Sequence, residues 1–210
     1  MSTFKIEGAK WLEGLFPEWN WQELAREKYD EVFQKIRVFQ DLDDEVIKYL
    51  RENKIRIGYH KQYKSGGGWT LLRNITLSPG DDPLSPYVLS LIIHETFHLK
   101  QSIWMRLSMQ GELRAWQYQK QTYYKLTDKD IGDSGQAYAG TKVHWDEIAK
   151  LASDSREDLI KAQALTRKVA PDYRSNCLPL FPLPQEIAFY WKQKKYAEAF
   201  RAVWNLITCK

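Results

Sequence analysis

The chain is short of the features that assign a protein to a class outright. It has two cysteines in 210 residues, Cys177 and Cys209, in unlike contexts, so no disulfide framework is expected. No stretch approaches the roughly 18 uninterrupted apolar residues of a membrane span. The longest candidate, Tyr87 to Leu99, is broken by Ser90, His94, Glu95 and His98. The opening residues, MSTFKIEGAKW, show no basic segment followed by an apolar one, so no secretory signal is visible. Repeats are lacking, and low complexity is confined to Gly66-Gly67-Gly68. A net charge of +4 is too small to identify a partner. These absences lead to the expectation of a soluble, cytoplasmic protein with no membrane partner.

Apolar residues make up 43% of the chain and aromatics 14%, with nine tryptophans. That is ample for a packed core and excludes a wholly disordered chain. No linker separates domains, so one domain over 1–210 is expected. Its parts are N-terminal helices (1–53), a central core (54–126) and a C-terminal helical portion (127–210).

Asn20-Trp-Gln-Glu23 reads as a capping box opening a helix from about Asn20 to Phe39, and a short helix follows from Asp43 to Glu52. Ile55, Ile57 and Tyr59 then alternate with polar or small residues, the pattern of a half-buried strand. "WTLLRNITL", Trp69 to Leu77, predicts a second strand. After "SPGDDPLSP", Ser85 is suited to N-cap and Pro86 to open a helix. Further helices are predicted over Ser108–Leu126 and Val143–Val169. A final amphipathic helix should carry Ile187, Tyr190, Trp191, Phe200, Trp204 and Ile207. The fold class expected is α+β: helix-dominated, with a small antiparallel sheet preceding a central helix.

That central helix holds the chemistry. From Leu84 to Leu99 the one side chain expected to carry charge is Glu95. Burying a lone ionised carboxylate costs several kcal/mol unless something compensates. The pentapeptide "HETFH" is H-E-x-x-H. Its two histidines, one helical turn apart, lie on one face, so His94 and His98 can both turn to one ion. Zinc accepts imidazole nitrogen at ~2.0–2.1 Å, and this spacing suits two corners of a tetrahedron. Glu95 lies about 100° round the helix, placed to take a proton from water activated by the metal rather than to bind the metal.

Zinc needs a third ligand. The H-x-x-G-x-x-H continuation of metzincins is absent: Gln101 and Trp104 stand at its Gly and His positions. The next acid is Glu112, in "GELRAW". On one unbroken helix Glu112 would lie about 21 Å beyond His98 at ~1.5 Å per residue, out of reach. The first helix must therefore end between about Ser102 and Ser108, and a second turn back, with Ser108 as N-cap and Gly111 permitting close approach. His144 and Glu147 are reserve ligands. Gln101, seven residues after His94, could orient a ligand. Tyr123, Tyr124, Tyr138 and His144 are candidate oxyanion stabilisers.

"HETFHLKQ" followed by "GELRAW" resembles the small bacterial gluzincin-like domains, which carry HExxHxxQ and then a helix with ExxA. The resemblance covers Trp69 to Leu126. It implies a zincin-like core, His94, His98 and Glu112 as zinc ligands and Glu95 as general base. It also implies that the Trp69–Leu77 strand is an edge against which an extended peptide lies. The function expected is a zinc-dependent hydrolase, a metallopeptidase acting on peptide or protein substrates. The alternative is a non-catalytic metal-containing binding or scaffold protein. The basic stretch Lys48 to Lys64 has no reading motif beside it, and a nucleic-acid partner is not expected.

Overall fold

The computed structural model describes residues 21–38, 44–60, 67–69, 74–129, 147–169 and 174–208. Within them the fold is α+β and helix-dominated. The strands are β1 (Trp21–Glu23), β2 (Arg56–His60), β3 (Gly67–Trp69) and β4 (Asn74–Leu77). The helices are α1 (Arg26–Val38), α2 (Asp44–Glu52), α3 (Pro86–Lys100), α4 (Ile103–Arg106), α5 (Met109–Thr127), α6 (Arg156–Val169), α7 (Leu183–Lys192) and α8 (Tyr196–Thr208). A 3-10 turn, Arg174–Cys177, lies between α6 and α7.

The four strands form one sheet in the order β1-β2-β4-β3. It is mixed, not antiparallel as expected. β2 and β4 pair in parallel, Ile57 opposite Ile75, while β1 and β3 pair antiparallel on the two outer sides. Alternating hydrophobicity encodes which face of a strand is buried; it carries nothing about the direction of the partner. The predicted Trp69–Leu77 strand is two strands, β3 and β4. β4 is interior, with all four of its residues buried, and the outer edge is β3.

Of the Asn20–Glu23 capping box, Asn20 lies outside the described residues and Glu23 is in a strand rather than the first turn of a helix. Trp21, Gln22 and Glu23 pair with His60, Tyr59 and Gly58, and the Leu24 amide donates to the Ile57 carbonyl at 2.8 Å. Cross-strand pairing satisfies these backbone groups, and the helix starts only at Arg26. The predicted Val143–Val169 helix is also divided: a helical turn at 147–149 breaks off before α6 begins at Arg156. The predicted final helix is a hairpin of α7 and α8, joined through Lys194, whose φ of 58° lies in the left-handed region.

α3 occupies the centre. Ser85 caps it, its hydroxyl accepting from the Val88 amide, and Pro86 supplies the first helical residue. Val88, Leu89, Leu91, Ile92, Ile93 and Leu99 are buried against Ile57, Ile75 and Leu77 of the sheet and Val32, Val46 and Leu50 of α1 and α2. Six such side chains contribute on the order of 10 kcal/mol. That is enough to hold His94, Glu95 and His98 in an apolar setting. A second cluster joins Met109, Leu113 and Trp116 of α5 to Ile148, Leu159 and Ala162.

Cys177 is disulfide-bonded, which overturns the reading that the cysteines form no bridge. The chain's other cysteine, Cys209, lies outside the described residues. No described helix is long and apolar enough to cross a membrane.

Candidate metal centre

α3 stops at Lys100, one or two residues earlier than the reach argument requires, and no proline or glycine stops it. Instead Gln101 adopts an extended backbone, and the Arg106 guanidinium donates to the Leu99 and Gln101 carbonyls, each at 2.9 Å. Those are carbonyls that a helix end leaves without partners. Ser102 then caps the single turn of α4.

α5 begins at once, with every amide of its first turn satisfied. The Met109 and Gln110 amides donate to the Pro179 and Leu180 carbonyls, the Gly111 amide to the Ser108 hydroxyl and the Glu112 amide to the Ser108 carbonyl. The proline-rich connector thus serves as a backbone acceptor for α5. At Gly111 the first turn of α5 runs against the backbone of α4: a Cβ there would sit 2.0 Å from the Met105 carbonyl oxygen. Only glycine allows so tight a return.

This return brings Glu112 to the histidines. His94 Nε2 and His98 Nε2 are 3.1 Å apart, and Glu112 oxygens lie 3.2 Å from His98 Nε2 and 3.8 Å from His94 Nε2. All three residues are buried. Two ligands held ~2.0–2.1 Å from one tetrahedral zinc are about 3.3 Å apart. The two nitrogens, and His98 Nε2 with one Glu112 oxygen, lie close to that edge, the 3.8 Å contact to His94 being made by the other oxygen; the donor set fits the ion in type, and one donor atom from each residue lies within 4.8 Å of the others. Among the described residues no other group of three potential ligands converges in this way.

Neighbouring amides set the direction of each ring. Gln101 accepts from His98 Nδ1 through Oε1 at 3.2 Å and donates through Nε2 to the Gly111 carbonyl at 3.2 Å. The second bond fixes the amide's orientation, so Nδ1 carries a proton and Nε2 faces Glu112, donating to it while the ring is charged and offering a lone pair once that proton is lost. One side chain therefore ties the end of α3, the His98 ring and the first turn of α5 together. His94 Nδ1 is buried and meets no group at hydrogen-bond geometry. The Ala115 backbone and the Gln119 side chain are near enough to favour its proton.

The electrostatics follow from burial. His94 is pushed down to about 3 by desolvation and by His98, against the pull of Glu112, so it is a neutral donor. Glu95 is pushed up to about 8 by burial, with Glu112 adding and His98 opposing. For His98 burial lowers the pKa, but the charge and hydrogen bond of Glu112, with Glu95 and Gln101, outweigh it and leave the ring raised. Glu95 is buried, and no hydrogen bond is found for its carboxyl among the described residues.

His94, Glu95, His98, Gln101 and Glu112 are thus brought together. Glu147 is exposed and outside the cluster, while His144 and Tyr138 lie outside the described residues. Tyr123 and Tyr124 start about 16 Å and 18 Å along α5 from Glu112, at ~1.5 Å per residue, too far to serve the same centre. Sequence reasoning missed Gln119, although its place seven residues after Glu112, on the same face, was a usable signal. It also missed Arg106, for which the sequence offers none. In the basic stretch, Lys48 pairs with Glu52 at 3.8 Å and Arg56 with Glu23 at 3.7 Å; residues 61–64 lie outside the described residues. No family model, no curated protein and no solved structure matches the chain.

Proposed function

We propose that the protein is a zinc-dependent hydrolase, a metallopeptidase of gluzincin-like and zincin-like build. The observation that carries this reading is the convergence of His94, His98 and Glu112, their donor atoms within 4.8 Å of one another, beside a buried acid for which no hydrogen bond is found among the described residues. His94, His98 and Glu112 would hold the ion. Bound zinc would supply Lewis acidity, making a water acidic near neutrality and polarising a substrate carbonyl.

Glu95 does the proton work. Left alone, its raised pKa keeps it protonated near neutrality; a dication beside it favours the carboxylate. As carboxylate it accepts a proton from the attacking water and returns it to the amine nitrogen as the C–N bond breaks. Gln101 keeps His98 in the tautomer that presents Nε2. β3, the outer strand of the sheet among the described residues, packs against α3 and is the strand to which an extended peptide would add.

A disulfide at Cys177 suits an oxidising compartment and argues against the cytoplasmic setting expected from the sequence.

The test combines zinc stoichiometry with cleavage of a peptide library. We expect one zinc per chain, and we expect Glu95→Gln to keep the zinc while losing roughly 10²–10⁴-fold in rate. Undiminished cleavage by Glu95→Gln would falsify the mechanism. Zinc uptake without cleavage of any peptide by the wild type would favour the non-catalytic alternative.

A further inference from the structure

The C-terminal hairpin carries an apolar face that the described fold does not use. α8 packs on α7 through the side bearing Ala199, its one buried residue, with Ala202 and Leu206 beside it. At 100° per residue, Tyr196, Phe200, Trp204 and Ile207 fall within an arc of about 80° turned away from that side. Each is more than half exposed, Phe200 to 70%. Trp191, at the end of α7, is 61% exposed and meets Tyr196 edge to face, its ring centroid 5.4 Å away, which extends the stripe across the hairpin. Single exposed hydrophobics are ordinary, but a contiguous aromatic stripe marks an interaction surface.

The charges beside the stripe select the partner. Lys192, Lys194, Lys195 and Arg201 are all exposed, and none makes an ion pair among the described residues. The hairpin's two acids do little to offset them. Glu186 is buried and engaged by Arg156 at 2.6 Å, leaving Glu198, half-buried. A second copy of the chain would bring two cationic rims together. A protein partner would have to supply a shape-complementary apolar surface. A lipid surface needs no such match: Trp and Tyr seat at the headgroup boundary, Phe and Ile reach the acyl chains, and lysines lie along the interface with their charge in water.

We propose that the outer face of the α7–α8 hairpin docks on an anionic lipid bilayer, with Tyr196, Phe200, Trp204, Ile207 and Trp191 entering the interface and the four cations meeting the headgroups. Lying on a membrane requires no spanning segment, so the absence of one among the described helices is compatible with this attachment. The inference is independent of the metal centre.

The test is sedimentation of the whole protein with vesicles of phosphatidylcholine alone and of phosphatidylcholine with about one-third phosphatidylglycerol, at two salt concentrations. Binding is expected to the anionic vesicles alone and to weaken with salt. It should be lost in Phe200→Glu/Trp204→Glu and weaken at least tenfold in Lys192→Gln/Lys194→Gln/Lys195→Gln. In the wild type, brominated anionic lipid should quench tryptophan fluorescence; Trp191→Phe/Trp204→Phe should bind as well but be quenched less. That pair needs no disruptive variant. Absence of binding, or equal binding to uncharged vesicles, overturns the proposal. So does a dimer in solution that Phe200→Glu/Trp204→Glu dissociates, which would give the face to a second copy.

Discussion

Replacing Gly111 with alanine sets two physical effects against each other. In an ordinary helix the change stabilises by ~0.8–1.0 kcal/mol, because alanine has less backbone freedom to lose. Here the new Cβ would meet the Met105 carbonyl oxygen at 2.0 Å, the Met105 carbonyl carbon at 2.8 Å and Gln101 Oε1 at 3.0 Å. Ordinary C···O contacts begin near ~3.3 Å, so backbone must move by about 1.3 Å. That carbonyl is also held by the Ser108 amide at 3.1 Å and the Ser108 hydroxyl at 2.7 Å, and yielding would weaken both bonds. Overpacking of this kind costs ~1–3 kcal/mol. Net of the propensity gain, Gly111→Ala should lose up to about 2 kcal/mol, a fall of up to roughly 8 °C in Tm for a chain of this size. Urea denaturation in the presence of a chelator reads the stability without metal. Competition with a chromophoric chelator reads zinc affinity, which should fall at least tenfold as Glu112 moves away from His98. A surface variant of equal instability should leave the affinity unchanged. A Gly111→Ala protein more stable than the wild type would refute the close approach and the placement of Glu112 that depends on it.

Gln101→Ala removes the amide that fixes the His98 tautomer and should weaken zinc binding by roughly 10–100-fold; the same competition assay checks it, and unchanged affinity would deny the amide that role. Zinc affinity should fall as the pH drops through the range in which His98 gains a proton. Because Glu112 raises that range, the loss should begin at a higher pH than for an ordinary imidazole, and zinc uptake near it should release protons, seen as a buffer-dependent heat in calorimetry. Thiol titration of the unreduced, denatured protein should find no free thiol; two reactive thiols would remove the disulfide and the argument from compartment with it.

What the sequence made legible was local. Ser85-Pro86 and Ser108 announce helix starts because a hydroxyl before a helix has a fixed backbone partner, and both caps form. The spacing of His94 and His98 places them on one face whatever surrounds the helix. Reach alone required the chain to turn back so that Glu112 could join them. The features that escaped depend on distant partners. Trp21–Glu23 is a strand because β2 lies beside it, and the parallel pairing of β2 with β4 leaves no trace in either strand's own pattern. Arg106 ends α3 from five residues beyond Gln101, and nothing in "LKQSIWMRL" distinguishes that arginine from a surface one. The Lys194 turn is occupied by a residue that rarely adopts a left-handed backbone, so a single long helix was the natural reading.

The three proposed ligands span residues 94 to 112, with thirteen residues between the last histidine and the glutamate. An ion gripping them closes a short loop, which removes little chain entropy from the unfolded state. Every donor also comes from one helix–turn–helix segment, so the ion itself would tie no strand to the helices, although the sheet and the N-terminal helices supply the segment's apolar setting. A bound cation would therefore be a poor staple for the molecule as a whole and a good one for this hairpin. Heating or denaturant should release the N-terminal layer first, leaving α3 and α5 clasped as a metal-bearing partially folded state.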